Sequence, residues 1–287
     1  MHPGTRLRTA LGGNELVVAP GVYDVLSAKI ADGMGFEALY MTGYGVSASL
    51  GLPDAGLVSY SEMVGRVAQI CQCTATPLVC DADTGFGGLV NLERTVKGYE
   101  RAGAAAIQIE DQVFPKRCGH TPGRRVVPVA DMVRKIEVAA ASRTSRDFLI
   151  VARTDARTSL GLDEALRRAE AYAKAGADIL FIESPESEEE MARIGRHFDV
   201  PLLANMADGG RTPILPRARL AELGYRLAIF PVTGLLAAVK ALERVYGVLR
   251  EKGSSDTLAP DLYPFDRFCR LIGFEHIWEF EKRWPET

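Results

Sequence analysis

Several things are scarce or missing in this sequence, and each absence narrows what the protein does. No charge sign dominates: 34 Lys plus Arg face 37 Asp plus Glu in 287 residues, a net charge of −3. Proteins that hold nucleic acid or sit on anionic membranes carry a basic excess, so neither partner is expected. No stretch of about 18 uncharged apolar residues occurs, so no membrane-spanning helix is expected. The first 14 residues carry Arg6 and Arg8 but lead into no apolar run, so no export signal is expected. Cysteine is limited to five residues, Cys71, Cys73, Cys80, Cys118 and Cys269, with no CxxC pair. An odd, unpaired set points to free thiols in a cytoplasmic protein. Disorder is excluded by a 47% apolar content, ample for a core.

What is present is a repeat. Eight short apolar runs occur: Leu16–Ala19, Ala38–Thr42, Pro77–Cys80, Ala105–Ile109, Phe148–Ala152, Ile179–Ile182, Pro201–Ala204 and Leu227–Phe230. Segments of helical period fill the gaps: 22–34, 60–71, 92–102, 130–142, 162–175, 188–197 and 217–223, with 235–252 after the last run. In the fifth segment Ala165, Ala169 and Tyr172 form an apolar face, with Arg167, Arg168 and Lys174 opposite. Gly103 and Gly176, each inside an Ala-Gly-Ala, mark helix ends. Alternating β and α elements imply a parallel sheet with right-handed crossovers. Eight units in about 250 residues match an α/β fold of the (β/α)8 barrel type. An open doubly wound sheet is the competing architecture, but no Gly-rich dinucleotide fingerprint follows the first strand. The barrel is expected over 1–252, and 253–287 as a C-terminal helical extension. That tail holds Phe265, Phe268, Phe274, Trp278, Phe280 and Trp284, enough aromatic surface to require cover from the barrel itself or from another subunit.

In such a barrel the chemistry belongs at the carboxyl ends of the strands. Polar residues collect there. The third run ends in Cys80-Asp81-Ala82-Asp83-Thr84-Gly85, and strand alternation would put both carboxylates on one face. Paired buried carboxylates are costly unless a cation neutralises them, and hard oxygen donors suit Mg²⁺. Helix capping explains one of the two acids less well than a metal explains both. The fourth run ends in Glu110-Asp111-Gln112, the fifth in Arg153-Thr154-Asp155, the sixth in Glu183 and the seventh in Asn205. Glu110 would reach the metal through water. The second run ends in Thr42-Gly43-Tyr44-Gly45, whose backbone N–H groups suit an anion, and Asp54 follows in the same loop. Between Pro115 and Pro122 lies Lys116-Arg117-Cys118-Gly119-His120, where two cations and a histidine flank one thiol, a setting that primes it for proton transfer or attack.

These motifs together resemble the isocitrate lyase/phosphoenolpyruvate mutase superfamily over about residues 15 to 284, and within it the short lyases: methylisocitrate lyase, 2,3-dimethylmalate lyase and the petal-death type. The resemblance implies a (β/α)8 barrel, bound Mg²⁺ (or Mn²⁺), and a homotetramer of dimers that exchange C-terminal helices. It implies cleavage of a 2-hydroxy dicarboxylate to pyruvate or a related oxoacid plus a carboxylic acid. Carried over by residue, Asp81 and Asp83 are metal-binding acids with Glu110 behind them. Arg153, Asn205 and the Thr42-Gly43-Tyr44 backbone meet the substrate, with Asp54 and Gly119 close by. Cys118 protonates the enolate, His120 and Glu183 support it, and Tyr40 is the base for the substrate hydroxyl. Tyr44 replaces the glycine usual in methylisocitrate lyases, and Asn205-Met206-Ala207 lacks a hydroxyl that tricarboxylate-cleaving members carry, which favours a substituted malate. Oxaloacetate hydrolysis is the alternative, with Thr233 a position to watch. The Cys motif argues against a mutase or phosphonopyruvate hydrolase, and the intact site argues against a non-catalytic dicarboxylate-binding barrel.

Overall fold

The computed structural model describes residues 2–119 and 123–285. Its strands are β1 (Val17–Val22), β2 (Leu39–Met41), β3 (Leu78–Asp81), β4 (Ala106–Glu110), β5 (Leu149–Thr154), β6 (Ile179–Ile182), β7 (Leu202–Asn205) and β8 (Leu227–Phe230). They close in chain order into one barrel, every pair parallel, with Val17–Pro20 of β1 in register with Leu227–Phe230 of β8. Each expected apolar run overlaps one strand. The architecture is the (β/α)8 barrel.

Between the strands run α2 (Val25–Asp32), α4 (Tyr60–Cys73), α5 (Leu89–Arg101), α6 (Val129–Ser142), α8 (Leu162–Lys174), α9 (Glu188–His197) and α10 (Arg217–Glu222). Local chemistry starts and stops them. Ser59 caps α4 in a reciprocal box with Glu62, and Asp24 does the same for α2 with Ser27. After α5 and α8 the chain turns back through Gly103 (φ 99°) and Gly176 (φ 110°), left-handed positions that exclude most side chains.

Three helices fall where no element is expected. In α1 (Pro3–Leu11) only Leu7 and Leu11 offer an apolar pair; both join the inner barrel cluster with Val17, Ala19 and Leu149. The second, α3 (Gly43–Ser49), opens with Gly-Tyr-Gly, which reads as a loop, yet Thr42 caps it through Gly45 N–H. The third, α7 (Ala156–Leu160), is too short to show a period.

Two layers of core follow from the strand period of two. In β5, Leu149 and Val151 join the inner cluster, whereas Ile150 and Ala152 join the layer under the helices. The same split separates Val79 from Leu78 and Cys80, Phe181 from Leu180 and Ile182, and Leu203 from Leu202 and Ala204. Extending the inner set one step along β3 and β5 reaches Asp81 and Arg153, and along β4 it reaches Gln108 and then Glu110. Barrel closure and alternation therefore aim these polar side chains into the mouth.

The chain divides into two compact units after Gly234, earlier than the boundary at 252/253 expected from sequence. The helix that follows β8, α11 (Thr233–Lys252), belongs almost wholly to the second unit. That unit continues with a 3-10 turn (Asp256–Asp261), α12 (Phe265–Ile272) and α13 (Phe274–Arg283), which meet at left-handed Gly273. Within it, Arg244 pairs with Asp261 at 2.6 Å, and the Phe274 and Trp278 rings lie 5.9 Å apart. Phe265, Phe280 and Trp284 are exposed. Among the described residues no helix is long and apolar enough to cross a membrane.

Backbone contact around the barrel is tight at one glycine of α9. A Cβ placed on Gly195 would lie 1.5 Å from the Leu223 carbonyl oxygen. We expect Gly195→Ala to cost about 1–3 kcal/mol or more, the penalty of overpacking a rigid contact, measured by urea unfolding; an unchanged midpoint would contradict this packing.

Candidate active site

The acidic half of the mouth is built by β2, β3 and β4. Asp81 ends β3 and is held by three donors: Gly43 N–H at 3.3 Å, Asp83 N–H at 3.1 Å and Gln108 Nε2 at 3.4 Å. Asp83 is not a strand residue. It sits in a left-handed turn (φ 47°), and this turn, rather than strand alternation, brings its carboxylate beside that of Asp81. Both converge above Gly43, where an added Cβ would meet Asp81 Oδ2 at 2.7 Å and Asp83 Oδ1 at 3.5 Å. Lys116 reaches in from the Cys118 segment and pairs with Asp54 and, at 2.8 Å, with Asp83 Oδ1. Burial raises the Asp83 pKa to about 6, with Lys116 opposing and Asp81 and Asp54 adding to the rise. Glu110 is also pushed well up by burial, against the pull of Arg153. Its Oε2 lies 3.4 Å from Arg153 Nε, while Oε1 is buried with no hydrogen-bond partner.

The cationic half is built by β5, β6 and β7. Asp155 grips Arg153 through two bonds, from Nε at 2.9 Å and Nη2 at 3.0 Å, and accepts a third from Arg124 Nη1 at 2.6 Å. Against the burial penalty, these two guanidinium groups hold Asp155 below its ordinary pKa. Asp155 is itself placed by Asp111, which accepts its backbone N–H at 2.9 Å together with Thr154 Oγ1 and Tyr172 Oη. On its other side Arg153 Nη2 lies 3.2 Å from Glu183 Oε2, which also accepts Asn205 Nδ2 at 3.0 Å. The guanidinium rests over the Phe181 ring at 5.0 Å.

The Cys118 segment closes over both halves. Gly119 packs directly on the cationic side: an added Cβ would lie 2.4 Å from Arg153 Nη2 and 3.0 Å from Glu183 Cδ. Cys118 is half-buried and its N–H donates to the Asp54 carbonyl at 3.2 Å. Beside it lies a cavity of about 340 Å³ with an apolar wall of Ala48, Leu52, Pro53 and Ala55, and with Tyr44, Asp54 and Arg117 at its edges.

The structure thus gathers Asp54, Asp81, Asp83, Glu110, Arg153, Glu183, Asn205, Gly119 and Cys118 at one barrel end. His120 lies outside the described residues. Tyr40 is one layer deeper. It is buried, and its hydroxyl donates to Gln108 Oε1 at 3.1 Å. Burial, and Asp81 after it, push its pKa well above the ordinary value, which opposes the ionised form that a base needs. The Gly43 N–H read as an anion donor faces Asp81 instead. Tyr44 is partly exposed at the cavity edge, and exposed Thr233 donates to Asp208. Sequence reasoning gave Gln112 no role of its own and missed Gln108, Arg124 and Ser184. Of these, Gln108 carried a signal: a lone amide at an inward position of an apolar strand.

The residues fit a divalent cation. Among the described residues, Asp54, Asp81, Asp83, Glu110, Asp155 and Glu183 outnumber the nearby cations Lys116, Arg124, Arg153 and Lys135, so full ionisation leaves a negative excess. Glu110 Oε1 is an orphaned acceptor in that group, and every donor is an oxygen. Among the described residues no group of three acidic, His or Cys side chains is set to hold a metal ion. Mg²⁺ takes one or two carboxylates and keeps water for the rest.

Known proteins resemble this chain over nearly its whole length. A family described as phosphoenolpyruvate phosphomutase matches residues 7–249. A 2,3-dimethylmalate lyase of Eubacterium barkeri is 48% identical over 282 residues, covering 98% of each chain. A 2-methylisocitrate lyase of Aeropyrum pernix is 47% identical over 286 residues, covering 100% of this chain and 91% of that one. Among solved structures, a 2,3-dimethylmalate lyase of the PEP mutase/isocitrate lyase superfamily superposes with a TM-score of 0.93 at 36% identity, over 99% of this chain and 96% of its own. An oxaloacetate acetylhydrolase bound to 3,3-difluorooxalacetate gives 0.94 at 35% identity, over 99% and 98%. A phosphonopyruvate hydrolase with oxalate and Mg²⁺ gives 0.91 at 32% identity, over 100% of both.

The buried charge network makes a stability claim that does not depend on any relative. Asp155→Ala leaves Arg153 and Arg124 buried without their shared carboxylate. We expect a loss of about 3–5 kcal/mol in urea unfolding; a loss below about 1 kcal/mol would show that the network is not closed as described.

Proposed function

Because the chain belongs to the phosphoenolpyruvate phosphomutase family, within the PEP mutase/isocitrate lyase superfamily of its solved relatives, we propose that it is a carbon–carbon lyase. Its substrate is a 2-hydroxy dicarboxylate of the substituted-malate type, and its products are pyruvate, or a related oxoacid, and a carboxylic acid. Relatives at 48% and 47% identity are named for this chemistry. One observation supports the reading: Cys118 lines an apolar-walled cavity, and its neighbour Gly119 packs on Arg153 and Glu183 in the charged mouth. A carboxylate end then meets Arg153 while an alkyl-bearing carbon lies by the thiol. The apolar wall favours a 2,3-dimethylmalate-type substrate over a third carboxylate.

Asp81, Asp83 and Glu110 would hold Mg²⁺ or Mn²⁺. When bound, the ion supplies the positive charge that polarises the oxygen on C2 and offsets the negative charge developing there. Arg153 and Asn205 bind and orient the carboxylate, and Asp155 fixes the guanidinium plane for that task. A base removes the C2 hydroxyl proton, and the electron pair of the C2–C3 bond passes to the departing enolate. Cys118 Sγ–H gives its proton to the enolate carbon and completes the second product. The segment that carries the thiol covers the mouth and keeps water from quenching the enolate. Tyr40 stays neutral in this reading and orients Gln108, and through it Asp81. Glu183 and His120 support the Cys118 segment, and Asp54 ties it down through Lys116.

The exposed aromatics of the second unit fit helix exchange between two copies, and four copies in all. All five cysteines are free, which fits the cytoplasm. We expect sedimentation equilibrium to give about four times the 31.2 kDa chain mass; a monomer would contradict the tetramer.

The activity is tested by turnover of 2,3-dimethylmalate, 2-methylisocitrate and oxaloacetate with Mg²⁺. We expect 2,3-dimethylmalate to give pyruvate, and Cys118→Ser to lower kcat by about 10²–10⁴-fold, the range of a lost general acid. Turnover of none contradicts the lyase and supports a binding barrel. Turnover of oxaloacetate alone replaces the lyase by the hydrolase. An unaffected Cys118→Ser variant removes the proton-donor role.

A further inference from the structure

The backbone around Cys118 is held residue by residue. Arg117 is clasped by Gln112, which follows β4 and is buried. The Gln112 amide oxygen accepts the Arg117 N–H at 3.0 Å, and Nε2 donates to the Arg117 carbonyl at 2.9 Å. One side chain thus satisfies both polar groups of a loop residue, as a neighbouring strand would. Cys118 N–H goes to the Asp54 carbonyl. The Gly119 carbonyl accepts from Ser184 Oγ at 3.1 Å, with Glu183 Oε1 at the same distance as the alternative acceptor. Ser184 is fully buried at the end of β6 in a left-handed conformation (φ 59°), which is unfavourable for a residue with a Cβ. Glycine would occupy that backbone position more readily, so the serine hydroxyl is held there against a conformational cost.

We propose that Gln112 and Ser184 are positioning residues that clamp the backbone on either side of Cys118, one from each half of the barrel mouth. The proposal rests on the reading of Cys118 as the proton donor. Neither residue touches the reacting atoms. Their role is to fix the thiol in register with the cavity, where a displacement of about 1 Å lowers a rate about 10²-fold. The acidic half reaches the segment through Gln112 and Lys116, and the cationic half through Ser184 and the seat of Gly119 on Arg153. The thiol is presented only when both halves hold the segment.

Two variants separate this role from fold maintenance. Ser184→Gly removes the hydroxyl and at the same time relieves the left-handed backbone, which offsets part of the folding cost of the lost bond. Gln112→Glu keeps the shape and the acceptor for Arg117 N–H but loses the donor to the Arg117 carbonyl. The readout is alkylation by iodoacetamide, followed site by site by peptide mass spectrometry, with exposed Cys73 as the reference thiol in the same sample. We expect the Cys118-to-Cys73 rate ratio to rise about five- to tenfold in each variant, the effect of one lost hydrogen bond. In the substrate assay kcat falls by at least that factor with KM near the wild-type value. A ratio within twofold of the wild type in both variants overturns the clamp, whatever happens to thermal stability. Absence of turnover in the wild type contradicts the lyase reading alone, because the alkylation ratio decides the clamp without any substrate.

Discussion

Charge buried at one end of a closed barrel is the constraint on which the rest of this structure depends. Barrel closure brings the carboxyl ends of eight strands together, and the alternation of side chains aims every second residue inward. Inside the barrel that period delivers apolar residues such as Val79, Val151 and Phe181. One step further it delivers Asp81, Arg153 and Glu183, too far from water to be solvated and close enough to pair. Each carboxylate must find a cation or a donor, and most of the architecture of the mouth is the record of those pairings. Arg153 is shared by Asp155, Glu183 and Glu110, and Lys116 by Asp54 and Asp83.

The two shared cations have different origins, and this connects fold to chemistry. Arg153 belongs to a strand and is held there by Asp155. Lys116 belongs to the segment that carries Cys118, so the same ion pairs that neutralise the acids also bring the thiol to the mouth. Neutralisation of the acids and placement of the Cys118 segment are therefore one event. The carboxylate excess that remains is what a divalent cation would offset.

Much of this could be read from the order of residues. Each of the eight strands overlaps an expected apolar run, because continuous burial on both faces leaves a compact apolar signature. The strand-end acids and Arg153 were legible as polar residues closing those runs. What was not legible depends on conformation or long-range contact. Asp83 joins Asp81 through a left-handed turn that no pattern announces. The Thr42-Gly43-Tyr44 segment reads as a loop until Thr42 caps it. Tyr40 reads as a base by position, but its burial and its hydrogen bond to Gln108 depend on how the strands close. Gln112 and Ser184 look like ordinary polar residues, since their meaning lies in hydrogen bonds to Arg117 and Gly119.

The account stands on the claim that the acidic half of the mouth is a divalent-cation site. Isothermal titration calorimetry of Mg²⁺ into the intact protein, with and without oxalate as a dicarboxylate probe, tests it most directly. One Mg²⁺ per chain is predicted, bound more tightly with oxalate present, and weakened at least tenfold in Asp83→Asn, the lower end of the loss expected when a metal site is perturbed. Absence of binding under both conditions, or equal binding in Asp83→Asn, would contradict it.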